Sequence, residues 1–329
     1  MKAIEVKELS KLYPPDIHAV DNITFSIDDG EIFGLLGPNG AGKTTTLKAI
    51  TTLGKPSTGS IKSFGVDVVK FPKKARQMFG YVPQAVSADG DLTGYENLLI
   101  FAKLFYVNKN EREKRINNAL EYMGLSDRSQ DLVKHYSGGM MRRLEIAQAL
   151  VNRPKVLFLD EPSIGLDPSS KRQVWKYIKR LNEEFGMTVV ITTHDMLEAD
   201  ELCHRIAIMN SGKIAVIDTP FLLKKSIGGD IISLNLMESG QNVSLPHDLG
   251  LIIGSDDDNR ILISTDNSET AIPKIIRHFE GNGTLVSSVT VNKQTLDDVF
   301  MKYARSSLHP QGSMKDNHSV RRSFVRRGR

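Results

Sequence analysis

The distribution of apolar and polar positions divides the first two thirds of the chain into alternating strand-like and helix-like segments. Residues 22–27 alternate apolar and polar side chains, which is typical of a half-buried strand. Residues 31–36, 155–159 and 188–193 are short and almost entirely apolar, and such runs predict buried strands. Residues 169–185 carry the spacing of a helix. The alternation predicts an α/β fold.

The same rules extend this first region. Residues 92–135 are mostly helical in pattern, with breaks at Gly124 and Asp127. A helix is predicted at 196–203, and a hairpin of two strands at 205–217. We therefore expect the first domain to span residues 1–226.

A smaller α+β domain is predicted at 227–308, after a linker at 226–230 that contains two glycines. A basic tail follows at 309–329, and we expect it to be disordered because it lacks core-forming residues. The elements predicted for the small domain are strands at 231–237, 260–265 and 284–291, a helix at 268–279 that is interrupted early by Pro273, and a helix at 295–304.

Composition narrows the class of protein. Of 329 residues, 40% are apolar and 25% are charged, which is ordinary for a soluble globular chain. The net charge is only +4, and residues 310–329 carry six basic side chains against one acid, so a uniformly basic nucleic-acid binder is not supported. One cysteine excludes an internal disulfide. The sequence predicts neither a signal peptide nor a membrane-spanning segment.

The most informative motif is a glycine-rich loop between the predicted strand at 31–36 and a predicted helix at 45–50. It fits the pattern G-x-x-x-x-G-K-[ST], in which glycines turn the backbone so that N–H groups face phosphate oxygens. The start of the helix adds a favourable dipole for anions. The residues assigned to nucleotide binding here are Gly37, Pro38, Asn39, Gly40, Ala41, Gly42, Lys43, Thr44 and Thr45.

Two further motifs are ambiguous when taken singly. Asp160 and Glu161 end an apolar strand, where acids suit a Mg²⁺ site but equally suit the cap of a turn. Ser137 opens the run Ser-Gly-Gly-Met, and a serine there is also an ordinary helix cap.

Together with the phosphate loop, these motifs resemble the ATP-binding-cassette (ABC) ATPases over about residues 3–220. The family's usual Leu-Ser-Gly-Gly-Gln signature appears here as Tyr136-Ser-Gly-Gly-Met140. The family's remaining elements follow in order: an aromatic residue before the first core strand at Tyr13, a glutamine loop at Gln84, a loop at 163–167 and a switch histidine at His194.

A finer resemblance is to the daunorubicin-resistance type of ABC subunit. It rests on residues 136–147, on Leu92-Thr-Gly-Tyr-Glu-Asn-Leu98 and on Thr295-Leu-Asp-Asp-Val-Phe300. In that group the ATPase and its membrane permease are separate chains. The resemblance implies an exporter motor at the cytoplasmic face of the cell membrane, bound there through a polytopic permease.

The resemblance also assigns roles to residues. Lys43 and the loop backbone would hold the phosphates of ATP, and Tyr13 would stack on adenine. Thr44, Gln84 and Asp160 would hold Mg²⁺, and the catalytic set would be Lys43, Glu161 and His194. Ser137 and Gly139 would reach ATP on a second ATPase chain, either identical or a paralogue, because one chain supplies one loop and one signature.

Two other functions stay open from the sequence. One is a soluble ABC ATPase that acts on ribosomes or nucleic acid, which only the basic tail favours. The other is a catalytically inactive regulatory subunit, against which the intact Lys43, Asp160, Glu161 and His194 argue. No nucleic-acid partner is expected.

Overall fold

The computed structural model describes residues 1–237, 245–246, 249–256 and 259–306. The predicted disorder of the tail at 309–329 falls outside these residues. The strands are β1 (Lys2–Tyr13), β2 (Ile17–Asp28), β3 (Ile32–Leu36), β4 (Thr58–Ser63), β5 (Val66–Asp67), β6 (Phe79–Val82), β7 (Val156–Asp160), β8 (Thr188–Thr193), β9 (Arg205–Asn210), β10 (Lys213–Asp218), β11 (Asp230–Leu236), β12 (Leu251–Asp256), β13 (Arg260–Thr265) and β14 (Val286–Asn292).

The helices alternate with these strands in the first 226 residues. After residue 226, α9 covers one face of the last sheet. They are α1 (Lys43–Ile50), α2 (Pro72–Arg76), α3 (Gly94–Leu104), α4 (Lys109–Tyr122), α5 (Gly138–Leu150), α6 (Pro168–Phe185), α7 (Met196–Leu202), α8 (Pro220–Lys225), α9 (Ser268–Gly281) and α10 (Leu296–Ser306). Within the described residues, none of these helices combines the length and apolar composition needed to cross a bilayer.

The central sheet determines where the functional residues meet. Its six strands lie in the order β10-β9-β3-β8-β7-β6, and all of them are parallel except the edge strand β10. Parallel strands end at a common edge of the sheet, which is where α/β folds bind ligands. The edge after β3, β8 and β7 brings together Gly37, Thr193 and Asp160, and the Gly37 amide donates to the Thr193 carbonyl at 3.3 Å.

Two apolar cores enclose this sheet. One face packs against helices α3 to α7, where Leu144, Leu157 and Ile178 are fully buried. The other face packs against α1 and an antiparallel sheet of order β2-β1-β4-β5. Because both faces are covered, strands β3, β7 and β8 are buried at every position, as their largely apolar sequences predict.

A separate four-stranded antiparallel sheet, of order β12-β13-β11-β14, follows α8 and carries α9 on one face. Its last helix, α10, leaves this unit and packs against α7 and α8 of the first one. Leu296 and Val299 of α10 are thereby buried in the core that also contains Leu202 and Leu223. The predicted division at residue 226 stays a prediction.

Local signals explain several element boundaries. Asp167 accepts hydrogen bonds from the amides of Ser169 and Ser170 and so caps α6, with Pro168 in its first turn. The helix ends at Gly186, which has a φ of 59° and adopts the left-handed conformation that closes helices. The helix predicted over 169–185 therefore agrees with α6.

One local prediction was wrong. Pro273 does not interrupt α9, which continues from Ser268 to Gly281. A proline removes one backbone hydrogen bond, but Ala271, Ile275 and Phe279 bury the helix face against the sheet and offset the loss.

The region at 92–135 contains a break that was not predicted. The chain leaves α3 after Leu104, and Tyr106 takes a positive φ of 55°. Asn108 then caps α4 by accepting from the Asn110 amide at 3.0 Å. Asn108 was the available signal for this new helix start.

Candidate nucleotide-binding and hydrolysis site

The glycine-rich loop between β3 and α1 folds around a buried lysine. Lys43 is 5% exposed, and its Nζ donates to the carbonyls of Gly37 at 2.7 Å and Pro38 at 3.1 Å. Burial lowers the pKa of Lys43, while the nearby carboxylates of Glu161 and Asp160 oppose that shift. The loop thus holds a desolvated amine on its concave side, where an added anion would stabilise its charge.

The loop needs glycine at two close approaches. A Cβ on Gly37 would lie 2.3 Å from the Met209 carbonyl oxygen, and one on Gly42 would lie 2.4 Å from the Ala19 carbonyl oxygen. Gly42 also has a φ of 101°, a backbone conformation that residues with a Cβ rarely adopt. At Gly40 a Cβ would meet nothing within 4 Å, so the tip of the loop opens into free space.

The remaining loop residues fall into three groups by burial. Pro38 and Asn39 are exposed beside Gly40, Ala41 is buried, and Thr44 and Thr45 are half-buried in the first turn of α1. Backbone amides at the start of α1 therefore lie next to accessible space, which suits an anion at a helix N-terminus.

Asp160 lies opposite Thr44 at the end of β7. The Thr44 hydroxyl donates to Asp160 Oδ1 at 3.0 Å, and the Thr192 hydroxyl donates to the same oxygen at 2.5 Å. Asp160 is 1% exposed. Burial and the Asp160 carboxylate raise the pKa of Tyr81 to about 12, so this phenol stays protonated beside the acid at neutral pH.

Three residues that the sequence singled out converge on Glu161. Gln84 Nε2 donates to Glu161 Oε2 at 3.4 Å, His194 Nδ1 lies 3.3 Å from that oxygen, and Lys43 Nζ lies 3.7 Å from Oε1. Glu161 is buried, whereas the His194 side chain is 47% exposed. The carboxylate therefore faces an opening that a histidine and a glutamine line.

The backbone of Glu161 is strained. Its φ is 50°, in the left-handed region that costs a residue other than glycine about 1–3 kcal/mol. Its amide donates to the carbonyl oxygen of Thr192 at 3.0 Å and to the hydroxyl at 3.1 Å. Strand β8 thus holds the strained residue in place.

The Ser-Gly-Gly segment does not join this cluster. Ser137 caps α5 by accepting from the Met140 amide at 3.3 Å, and both Ser137 and Gly138 are exposed. Gly139 is buried, and a Cβ there would lie 2.9 Å from the side chain of Ser170 in α6. The N-terminus of α5 therefore faces outward beside the first turn of α6.

Tyr13 lies at the end of β1, in the hairpin with β2. It is 42% exposed, and the Lys11 ammonium lies 4.9 Å from the centre of its ring. Tyr13 pairs with Ile17, two residues before Ala19, the residue that approaches Gly42. The hairpin thus reaches the phosphate loop through its backbone.

Sequence reasoning missed four residues at the site: Thr192, Tyr81, Arg142 and Glu145. Thr192 and Tyr81 both contact Asp160. Arg142 and Glu145 are buried in α5 and contact the backbone on both sides of Gln84. Strong charges on the buried face of a helix were the available signal, since such groups need partners.

Known proteins are similar to this chain in sequence and in fold. A family model described as "ABC transporter" matches residues 20–164. The linearmycin resistance ATP-binding protein LnrL of Bacillus subtilis is 36% identical over 88% of this chain and 94% of its own length. The chain belongs to the ATP-binding subunits of ABC transporters. As the sequence predicts, it is an ABC ATPase.

Other relatives agree with this family. The daunorubicin/doxorubicin resistance ATP-binding protein DrrA of Streptomyces peucetius is 35% identical over 91% of this chain and 92% of its own. The Nod factor export ATP-binding protein I of Burkholderia pseudomallei is 42% identical over 70% and 76%, respectively. These names refer to drug resistance and export, and they lend no support to a role on ribosomes or nucleic acid.

Solved ABC cassettes share the fold of the first unit. The cbiO1 protein from Clostridium perfringens, described as part of the ABC transporter complex cbiONQ, superposes with a TM-score of 0.64 at 30% identity, covering 69% of this chain and 93% of that one. A dimeric, post-hydrolysis structure of the cassette MJ0796 bound to ADP and Pi gives 0.59 at 29% identity, covering 66% and 98%. The predicted cassette fold is confirmed.

Proposed function

We propose that this chain is the ATP-hydrolysing motor of an exporter, in which two ATPase chains close around two ATP molecules and drive a separate membrane permease. The observation that carries the proposal is the convergence of Lys43, Gln84 and His194 on the buried Glu161 carboxylate. Thr44 and Asp160 lie beside this cluster as a ready pair of oxygen ligands.

The residues present fit ATP and Mg²⁺. A threonine hydroxyl and a carboxylate are the hard oxygen ligands that Mg²⁺ prefers, together with phosphate oxygens and water. Open space above Gly40 leaves room for the phosphates against the amides of the loop. When bound, Mg²⁺ would neutralise charge that develops on the phosphate oxygens.

The residues of this chain divide the work of hydrolysis. Lys43 and the amides of residues 40–45 would bind the phosphates, and Thr44, Asp160 and Gln84 would hold the metal. Glu161 orients the attacking water and accepts its proton, since its carboxylate is buried but faces the opening. His194 contacts the γ-phosphate from the exposed side of the cluster. Tyr13 stacks on adenine.

The position of the signature supports a dimer. Ser137 and Gly138 are exposed at the start of α5. An uncovered helix N-terminus suits the phosphates of a second nucleotide. Ser137 and Gly139 would therefore complete the site of a second ATPase chain, identical or a paralogue. The similar cassette MJ0796 is described as dimeric.

The helical part of the cassette provides a surface for the permease. Four large apolar side chains in or beside residues 87–135 are strongly exposed: Val86, Ile100, Leu104 and Tyr106. Exposed large apolar side chains suit contacts with a partner. Docking a polytopic permease here would place the chain at the cytoplasmic face of the cell membrane. It would also place the permease next to Gln84.

The proposal is tested by purifying the tagged chain with the membrane protein that accompanies it in native membranes. We expect Mg²⁺-dependent ATP hydrolysis that EDTA abolishes, and a complex that contains two ATPase chains. Absence of Mg·ATP binding by the intact complex would contradict the proposal. If the chain hydrolyses ATP but no membrane protein copurifies with it, the transporter role is refuted and the ATPase activity stands.

A further inference from the structure

A buried arginine in α5 uses all of its hydrogen-bond donors on the loops of the hydrolysis site. Arg142 is 6% exposed, and a guanidinium has five N–H groups. Nε donates to the carbonyl of Pro162 at 2.8 Å, and Nη2 donates to the carbonyls of Asp160 at 3.0 Å and Glu161 at 2.9 Å. Nη1 completes the set by donating to the Pro83 carbonyl at 2.7 Å and to Glu145 Oε2 at 2.9 Å.

Glu145 extends these contacts to the far side of the glutamine loop. Its other oxygen, Oε1, accepts from the Ser87 amide at 2.5 Å and the Ser87 hydroxyl at 3.1 Å. Glu145 is 3% exposed, so it also neutralises Arg142 in the interior. The pair therefore fixes the backbone before and after Gln84.

The same pair fixes the backbone of Glu161, the proposed catalytic base. Glu161 has a φ of 50°, and such a strained backbone persists only where surrounding contacts hold it. Thr192 holds its amide, and Arg142 holds its carbonyl. A small movement of Arg142 would thus change the direction of the Glu161 carboxylate and of Gln84 together.

We propose that Arg142, held by Glu145, is a positioning residue that makes hydrolysis in one ATPase chain depend on the position of its own signature helix. The inference rests on the proposed function, because it is in the dimer that Ser137 at the start of α5 meets the second ATP. Arg142 lies five residues beyond Ser137, roughly 7.5 Å along the helix axis. A rigid helix carries a displacement over that distance to the carbonyls of Pro83 and Glu161.

The neighbouring residue supplies a matched control. Arg143 also donates to backbone carbonyls: those of Met123 at 2.9 Å and Gly124 at 3.3 Å and, within its own helix, that of Gly139 at 3.3 Å. Its guanidinium lies 5.2 Å from the centre of the Tyr177 ring. These contacts join α5 to α4 and α6, and they do not involve Gln84 or Glu161. If α5 needed its arginines only for packing, substitution of Arg142 and of Arg143 would lower kcat equally.

The first experiment compares Arg142→Met, Arg142→Lys and Arg143→Met in the complex with the membrane partner. We expect Arg142→Met to lower kcat at least ~30-fold while the KM for ATP changes less than ~3-fold, since the phosphate loop is untouched. Arg142→Lys keeps the charge but has one nitrogen for four carbonyls, so we expect a loss of at least ~10-fold. Arg143→Met should keep kcat within ~3-fold of wild type.

Each result decides the question. A wild-type kcat in Arg142→Lys, or an equal loss of kcat in Arg143→Met, would overturn the proposal. A loss of ATP affinity parallel to the loss of kcat would assign Arg142 a merely structural role. If Arg142→Met does not fold, Arg142→Lys with an unchanged Tm carries the test. If the wild-type complex does not hydrolyse ATP, the proposed function has failed instead.

The second experiment tests dependence on the signature with the double variant Ser137→Ala/Arg142→Lys. If both residues act through one helix, the double variant should have a kcat within ~3-fold of the worse single variant. Multiplied losses would mean that the two residues act independently, and that result would overturn the coupling.

Discussion

The edge of the central sheet and the C-terminal sheet bury opposite kinds of side chain. Around Glu161, the charged residues Lys43, Arg142, Glu145 and Asp160 are all less than about 10% exposed. In the C-terminal unit, the buried polar residues among those described are two serines, Ser233 and Ser268, and its core is apolar.

The difference separates a site that acts from a unit that packs. Buried charges cost several kcal/mol each unless they are paired, so their accumulation at one edge indicates a function that requires them. The C-terminal unit has an ion pair at its surface, where such pairs contribute little. It is joined to the first unit by the apolar residues Leu296 and Val299 of α10, and by polar contacts such as the surface pair of Lys225 and Asp266. We therefore expect substitutions in the first region to change the rate of hydrolysis, and substitutions in the second region to change only stability.

The largest effect is expected for Glu161→Gln. Removing the proton acceptor should lower kcat by about 10²–10⁴-fold, while Mg·ATP binding persists because Lys43 and Thr44 are retained. The measurement is steady-state hydrolysis in the complex, together with nucleotide binding and light scattering. We expect ATP to hold the variant as a dimer of ATPase chains. Near wild-type turnover would remove Glu161 from the mechanism.

A comparable effect on stability, but not on chemistry, is expected for Phe279→Ala. This ring is 1% exposed in the core of the C-terminal unit, and its loss should cost about 3–5 kcal/mol. Hydrogen exchange should increase in β11, β13 and α9, whereas ATP affinity stays at the wild-type value. Leu285→Ala is the control, because Leu285 is 57% exposed in the same unit. A lost ATP site in Phe279→Ala would show that the two regions are not separable.

A smaller chemical effect is expected for Thr44→Val. The substitution removes a hydroxyl that donates to Asp160, a bond to a charged group worth about 1.5–3 kcal/mol. We expect kcat to fall about tenfold or more, and the Mg²⁺ concentration for half-maximal rate to rise. Thr51→Val, at the other end of α1, should change neither, because the Thr51 hydroxyl donates to the Leu47 carbonyl at 2.8 Å within the helix. Equal effects in both variants would contradict the role of Thr44 as a metal ligand.

The smallest effect is expected for Lys293→Ala. Its ammonium pairs with Glu269 at 2.6 Å on the surface of the C-terminal unit. Solvent screens such a pair, so neither Tm nor kcat should change measurably. A clear loss of activity would mean that this surface contacts a partner.

The sequence by itself determined the family, the order of the motifs and most strands of the central sheet. Buried parallel strands have unbroken apolar runs, and the glycine spacing before Lys43 is specific to a loop that binds phosphate, so both signals are local. The tertiary structure alone decided that β8 lies between β3 and β7, so that Thr192 holds both Asp160 and Glu161. It alone decided that Arg142 reaches Pro83 and Glu161, and that α9 continues through Pro273. Those contacts join residues far apart in the chain, and periodicity along a sequence carries no information about which distant carbonyl a side chain will meet.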